Sequence, residues 1–241
     1  MDKAAEVVAA NVQTARVNTE RHTEQQAAQQ IPQIMSEMQQ AAEVLQRVGG
    51  CVAIFGSARL PPDSPWCGMA ETLGAALARA GFPVVAGGGM GIMQAANKGA
   101  FEAGGVSVGL NIKLPKERHD NPYQTHRLHF DYFASRKATF FMHSVAYIAL
   151  PGGLGTLDEL FEVMTLVQTR KVPPAPIVLM GTDFWRGLLD WMRGQLQAGK
   201  LISGKDLDRL VVTDDTDVAL RHITRFCSEN PLICRHVALP E

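Results

Sequence analysis

The sequence predicts an α/β protein: a doubly wound, mostly parallel sheet of about seven strands with helices on both faces, plus an N-terminal helical extension. Two observations carry this. Short apolar runs alternate with amphipathic stretches from residue 51 onward. Glycine-bearing turns follow three of those runs, at the strand ends where such folds bind ligands.

Taken in order, residues 1–30 are rich in Ala, Gln, Glu and Thr and are expected to be partly disordered. From Ile31 a stripe of Ile34, Met35, Met38, Ala42, Leu45 and Val48 recurs at spacings of three and four, which puts it on one helix face. Gly49-Gly50 ends that helix. Three roles are open to it: packing on the flank of the domain, an oligomer contact, or a cap over a neighbouring site. Residues 1–48 thus form the extension and 49–241 the α/β domain. Within the latter, strands are expected at Cys51–Phe55, Phe82–Val85, Val106–Leu110, Leu128–Phe130, Ala146–Leu150, Ile177–Met180 and Leu210–Val212. Helices are expected at about 66–80, 91–103, 133–144, 156–170, 183–198 and 215–228. The polar stretch from Asn111 to Arg127, with Pro115 and Pro122, reads either as an active-site loop or as a surface connection.

The bulk properties exclude several classes. With 241 residues, 46% of them hydrophobic, the chain can bury a sizeable core. A net charge of −1 argues against a nucleic-acid surface. No apolar run approaches the roughly 20 residues that span a bilayer, and no signal peptide is visible. Cys51, Cys67, Cys227 and Cys234 form no C-x-x-C pair, so reduced thiols and a cytoplasmic location are expected, ahead of disulfides or a zinc site. The dinucleotide fingerprint fails because Ile92 stands where Gly87-x-Gly89 would need a glycine. The P-loop fails too: Leu201 and Asp206 follow the two Gly-Lys pairs. His126 and His129 lack the companions of a metal site, and none is expected.

The most informative segment is Pro151-Gly152-Gly153-Leu154-Gly155-Thr156-Leu157-Asp158-Glu159, a turn from an apolar strand into a helix. Such a turn gathers backbone N–H groups, the positive end of a helix dipole and the Thr156 hydroxyl at one spot, where a phosphate is attracted. Glu159 lies about one turn into the same helix. A phosphate anchor beside an acid points to an enzyme acting on a phosphorylated small molecule.

Three motifs together resemble the LOG (Lonely Guy) family. They are Gly87-Gly88-Gly89-Met90-Gly91-Ile92-Met93-Gln94-Ala95-Ala96-Asn97-Lys98-Gly99-Ala100, then Ser135-Arg136-Lys137, then the Pro151–Glu159 segment. Asn111-Ile-Lys-Leu-Pro115 and Asn121-Pro-Tyr123 look like its longer bacterial branch. The likeness covers roughly residues 50–230. It implies a Rossmann-like fold, usually homodimeric, that cleaves the N-glycosidic bond of a nucleoside 5′-monophosphate such as AMP or a cytokinin riboside monophosphate. No cofactor is implied. Members have been labelled lysine decarboxylases, but nothing in this chain independently signals a pyridoxal phosphate site. Met90 and Gln94 depart from residues common in the family, which bears on substrate preference.

The resemblance maps the catalytic arginine and glutamate onto Arg136 and Glu159. Cleaving a ribose–base bond develops positive charge on the sugar, which a fixed carboxylate stabilises while orienting water. The helix N-terminus is expected to keep Glu159 ionised; a plain helix-capping acid is the alternative. Arg136 would bind the sugar or hold Glu159, or else form a structural ion pair. Gly152, Gly153, Gly155 and Thr156 would cradle the 5′-phosphate. Gly88 and Gly89 would let main chain approach the ligand, and Ser57 would meet phosphate or ribose. Lys137 is expected at the phosphate or in solvent, Glu162 at the ribose hydroxyls, and Asn97 at the ligand. Asp158 reads as structural, and Met142 and His143 as core packing or a border to the base. A non-catalytic carrier of a nucleotide or phosphorylated cofactor, on the same fold, is the alternative function.

Overall fold

The computed structural model describes residues 24–114 and 121–234. Among them a seven-stranded sheet runs in the order β4-β3-β2-β1-β5-β6-β7. Its strands are β1 (Cys51–Phe55), β2 (Val84–Ala86), β3 (Ser107–Ile112), β4 (His126–Phe130), β5 (Ser144–Ala149), β6 (Ile177–Met180) and β7 (Leu210–Thr213). Every pairing is parallel. The helices are α1 (Glu24–Val48), α2 (Pro65–Arg79), α3 (Ile92–Glu102), α4 (Phe133–His143), α5 (Leu154–Gln168), α6 (Thr182–Trp191), α7 (Gly204–Leu207) and α8 (Thr216–Glu229).

Successive residues of a strand point to opposite faces, and β1 shows the result. Val52 and Ile54 join one core with Leu73 and Leu77 of α2, Ile92 and Ala96 of α3, and Ile223 of α8. Cys51, Ala53 and Phe55 join a second core with Leu45 of α1, Phe140 of α4, Val163 of α5 and Trp185 of α6. Helices therefore cover both faces, as the sequence predicts. The winding reverses between β1 and β5, where the chain leaves the sheet in opposite senses. Main-chain bonding there runs past the strands: Leu150 N–H donates to Phe55 O at 2.9 Å and Ser57 N–H to Pro151 O at 3.1 Å. A crevice beyond the carboxyl ends of the strands is the expected ligand position at such a reversal.

Several boundaries differ from expectation. Helix α1 already begins at Glu24, inside the stretch expected to be loose; Ala and Gln favour a helix even without apolar residues to mark it. Residues 1–23, and Pro115 of the expected loop, lie outside the described residues. Strand β2 starts after Pro83, which has no N–H for the ladder, although its carbonyl accepts from Val52 N–H at 2.8 Å. The helix expected at 183–198 is α6 followed by π-helical turns at Met192–Gln197. The short α7 was not expected; Ser203 and Asp206 form a capping box at its start.

The cysteine expectation needs correction. Cys51 and Cys67 are free and buried, but Cys227 and Cys234 form a disulfide. The turn after α8, closed by Cys234 N–H donating to Asn230 O at 3.2 Å, returns the chain onto the helix. Spacing alone cannot reveal such a turn. Among the described residues, no helix is long and apolar enough to cross a membrane.

Candidate active site

A cavity of about 1140 Å³ opens at the carboxyl ends of β1, β2, β3 and β5. The turn from β5 into α5 forms one wall. Gly153 is the N-cap of α5 and supplies no side-chain bond to the helix start. The first N–H groups of a helix have no partner within it, so those of Leu154, Gly155 and Thr156 open toward the cavity that these residues line. The Thr156 side chain is buried beside them. Gly152 lies beneath the wall: a Cβ there would fall 2.1 Å from Thr156 Oγ1. It is a packing position that lets Thr156 sit down on the turn, and it does not itself line the cavity.

Opposite stands Arg136, on the first turn of α4. Its Nε–H donates to Leu110 O at 2.7 Å and an Nη2–H to Gly87 O at 3.2 Å. These bonds tie the guanidinium to the ends of β3 and β2. The side chain also passes over the Phe140 ring, 5.4 Å from its centroid. Gly87 is a glycine for this arginine's sake, since a Cβ there would fall 2.2 Å from Arg136 Nη2. Arg136 Nη1 then lies 3.6 Å from Glu159 Oε1, with the two side chains only 8% and 14% exposed.

Burial pushes the Glu159 carboxyl up to about 7, against the pull of the Arg136 cation. Asp158 adds to the upward push, Lys137 opposes it and Glu162 adds to it again. The expectation that the helix N-terminus would keep Glu159 firmly ionised is therefore corrected: desolvation outweighs the favourable field, and the group titrates near neutrality.

Of the other residues singled out in the sequence, Ser57, Gly88, Gly89, Gly153 and Gly155 line the cavity. Ser57 Oγ accepts from Arg59 N–H at 3.1 Å. Lys137, Glu162 and Asn97 do not line it. Lys137 Nζ bonds to Asp158 Oδ2 at 2.7 Å and to Glu162, clamping α4 to α5. Burial pulls this ammonium down, but its two carboxylate partners outweigh that and hold it above the usual lysine range. Asn97 is wholly buried; its amide donates to Ser107 Oγ at 2.9 Å and Val108 O at 3.1 Å and accepts from Asn121 at 3.0 Å. It secures α3 to β3. Met142 is exposed, which corrects the core-packing reading for it, whereas His143 is half-buried; both border a separate, smaller cavity and neither lines the large one.

The residues that sequence reasoning missed come from β3, β4 and the segment that leads into β4. Asn111, Gln124, Arg127 and His129 line the cavity. Asn111 and Gln124 form an amide pair at 3.0 Å, and Gln124 also donates to Gly88 O at 3.2 Å, which braces the Gly87–Gly89 loop. The polarity of the stretch from Asn111 to Arg127 was the available signal, but it could not single out residues. Met93 lines the cavity, whereas Met90 and Gln94, the family departures, do not. Among the described residues no group of three or more His, Cys, Asp or Glu could hold a metal ion.

Known proteins share this arrangement of chain. A family model described as "Possible lysine decarboxylase" matches residues 93–223. The chain is 36% identical over 177 residues to the cytokinin riboside 5′-monophosphate phosphoribohydrolase of Mycobacterium tuberculosis, spanning 70% of this chain and 91% of that protein. An Arabidopsis thaliana protein of the same description is 30% identical over 154 residues, 62% of this chain and 71% of its own length. Among solved structures, the Moco carrier protein of Chlamydomonas reinhardtii is similar with a TM-score of 0.53 at 24% identity, covering 75% of this chain and 99% of that one. The molybdenum cofactor binding protein of Rippkaea orientalis gives 0.54 at 20% identity over 74% of this chain and 97% of that one. At these identities the structural likeness speaks to the fold alone.

Proposed function

Because the chain belongs to the cytokinin riboside 5′-monophosphate phosphoribohydrolase family, we propose that it hydrolyses the N-glycosidic bond of a nucleoside 5′-monophosphate. AMP or a cytokinin riboside monophosphate would yield free base and ribose 5-phosphate. The observation that carries this reading is the Arg136–Glu159 pair, buried in the same cavity as the uncapped start of α5.

In this reading the 5′-phosphate is held by the N–H groups of Leu154, Gly155 and Thr156 and by the Thr156 hydroxyl. The anomeric carbon then lies near Glu159. As the base leaves, positive charge grows on the sugar, and the ionised Glu159 carboxylate stabilises it in a site largely withdrawn from water. The same carboxylate orients the attacking water and accepts its proton. A carboxyl titrating at about 7 is suited to that exchange near neutral pH. Arg136 sets the position of Glu159 and offers donors to the sugar. A homodimer or higher homo-oligomer is proposed with this activity, in line with the resemblance.

The test is chromatography of the products after incubation with a panel of nucleoside monophosphates. Free base and ribose 5-phosphate are expected from at least one of them. Tight retention of an intact nucleotide with no base released would instead identify a carrier, and would end the hydrolase reading.

A further inference from the structure

The N-terminal helix α1 lies against α4 and β4, outside the stretch 93–223 that the family model matches. Its contact with α4 combines apolar packing of Ala41 and Leu45 with specific polar bonds. At the start of α4, Tyr132, the N-cap, makes no side-chain bond to the helix, the first turn holds no acidic residue, and the local side-chain contact is Ser135 Oγ at 2.9 Å from Tyr132 O. Such an end leaves N–H groups and the positive pole of the helix unanswered. From α1 the Glu37 carboxylate sits at that positive end and bonds on either side of it. Its Oε1 accepts from Asp131 N–H at 2.8 Å, just before the helix, and its Oε2 accepts from Ser135 Oγ, inside the first turn. Beside it, Gln33 accepts from the Tyr132 hydroxyl. Ser135 is wholly buried and immediately precedes Arg136 in the chain.

We propose that Glu37 is a positioning residue for Arg136: its carboxylate bridges Asp131 N–H and Ser135 Oγ from a neighbouring helix and steadies the turn from which the guanidinium reaches the cavity. As a statement about catalysis this rests on the hydrolase reading above. The head of Arg136 is held by Leu110 O and Gly87 O. The Arg136 main-chain N–H also donates to Tyr132 O at 3.2 Å, and Glu37 adds to the hold on that same turn through Ser135. The helix thereby acts on the site without touching the ligand.

The experiment compares Glu37→Ala and Glu37→Gln with the wild type in two readouts. One is kcat and KM across pH on whichever monophosphate the wild type cleaves. The other is the titration of the Glu159 carboxyl by carbon-detected NMR, which needs no turnover. The charged groups facing that carboxyl are Arg136, Lys137, Asp158 and Glu162; Arg136 and Lys137 both follow Ser135 on α4, and Lys137 is tied separately to Asp158 and Glu162. Loss of the cap is expected to lower kcat about tenfold with a smaller change in KM. It should also move the Glu159 midpoint upward, because the cation that opposes protonation is no longer held in place. Glu37→Gln should restore both, since an amide still accepts from Asp131 N–H and can donate to Ser135 Oγ. Wild-type kcat and an unmoved midpoint in Glu37→Ala would overturn the proposal, as would a fall in kcat with the midpoint unmoved. If the wild type releases no base, the hydrolase reading fails and the NMR midpoint alone decides on Glu37. If Glu37→Ala does not fold, Ser135→Ala removes the other end of the bond and is judged by the same two outcomes.

Discussion

Arg136 Nη1 and Glu159 Oε1 lie 3.6 Å apart, close enough for strong attraction and too far for a hydrogen bond. The guanidinium spends its bonds on the carbonyls of Leu110 and Gly87 instead. Its charge tempers the carboxylate without binding up its oxygens, which stay open to a water or a sugar. From this pair and its setting the following outcomes are expected.

The first concerns pH. If the proposed function holds, the acting form of Glu159 is the ionised one, and kcat/KM should rise with pH through a midpoint near 7. The sign for stability is opposite. A carboxyl raised by burial binds its proton more tightly in the folded state than in the unfolded one. That stabilisation is complete below the ordinary carboxylate value of 4.5 and is lost as pH rises through about 7. Thermal melts across this range should show the decline in the wild type and a smaller one in Glu159→Gln.

Glu159→Gln should lower base release by roughly 10²–10⁴-fold, the usual worth of a positioned acid–base group. Binding of the intact monophosphate, measured by calorimetry, should be largely kept, because the phosphate wall is untouched.

Gly87→Ala tests the placement of Arg136 from the far side. The new methyl group would meet Arg136 Nη2 at 2.2 Å and Met93 Sδ at 2.4 Å, so the guanidinium and the neighbouring thioether must both give way. Activity should fall on the order of 100-fold, while the secondary structure seen by circular dichroism is retained.

Inorganic phosphate should bind at the start of α5 and raise Tm, with stabilisation of about 2.7 kcal/mol at a hundredfold excess over Kd. Thr156→Val should weaken that binding by about 1 kcal/mol, the net worth of one hydrogen bond. Equal phosphate affinity in the two proteins would remove the hydroxyl from the anion site.

Asn97→Ala should cost stability of about 1–3 kcal/mol, since it strands buried partners on β3 and Asn121. Its kcat per folded molecule should match the wild type. A selective loss of substrate affinity would return Asn97 to the ligand.

Much of this molecule is legible in its sequence because its signals are local. Strand β6 is an uninterrupted apolar run, Ile177–Met180, and appears where expected. The turn before α5 announces itself through Gly152, Gly153 and Gly155. What the sequence hides is where side chains go once the elements meet. Lys137 and Arg136 are neighbours, yet a helix turns about 100° per residue, so one faces the cavity and the other clamps Asp158 and Glu162. Asn97 sits in a motif rich in ligand-contacting types, but its helix face turns toward β3. The upward push on Glu159 depends on burial, which no spacing records. The partner of Ser135 is Glu37, 98 residues away in the chain, and nothing local points to it.

Helix α4 runs into β5 with no intervening loop, and β5 passes to α5 through Leu150–Gly153 alone. Both opposing charges therefore ride on a single helix–strand–helix cassette. Deleting one residue from β5 would shift one charge against the other, so the proposed chemistry depends on the cassette as a unit. A descendant that drifts toward a different task is expected to keep the cassette's frame and exchange what surrounds it.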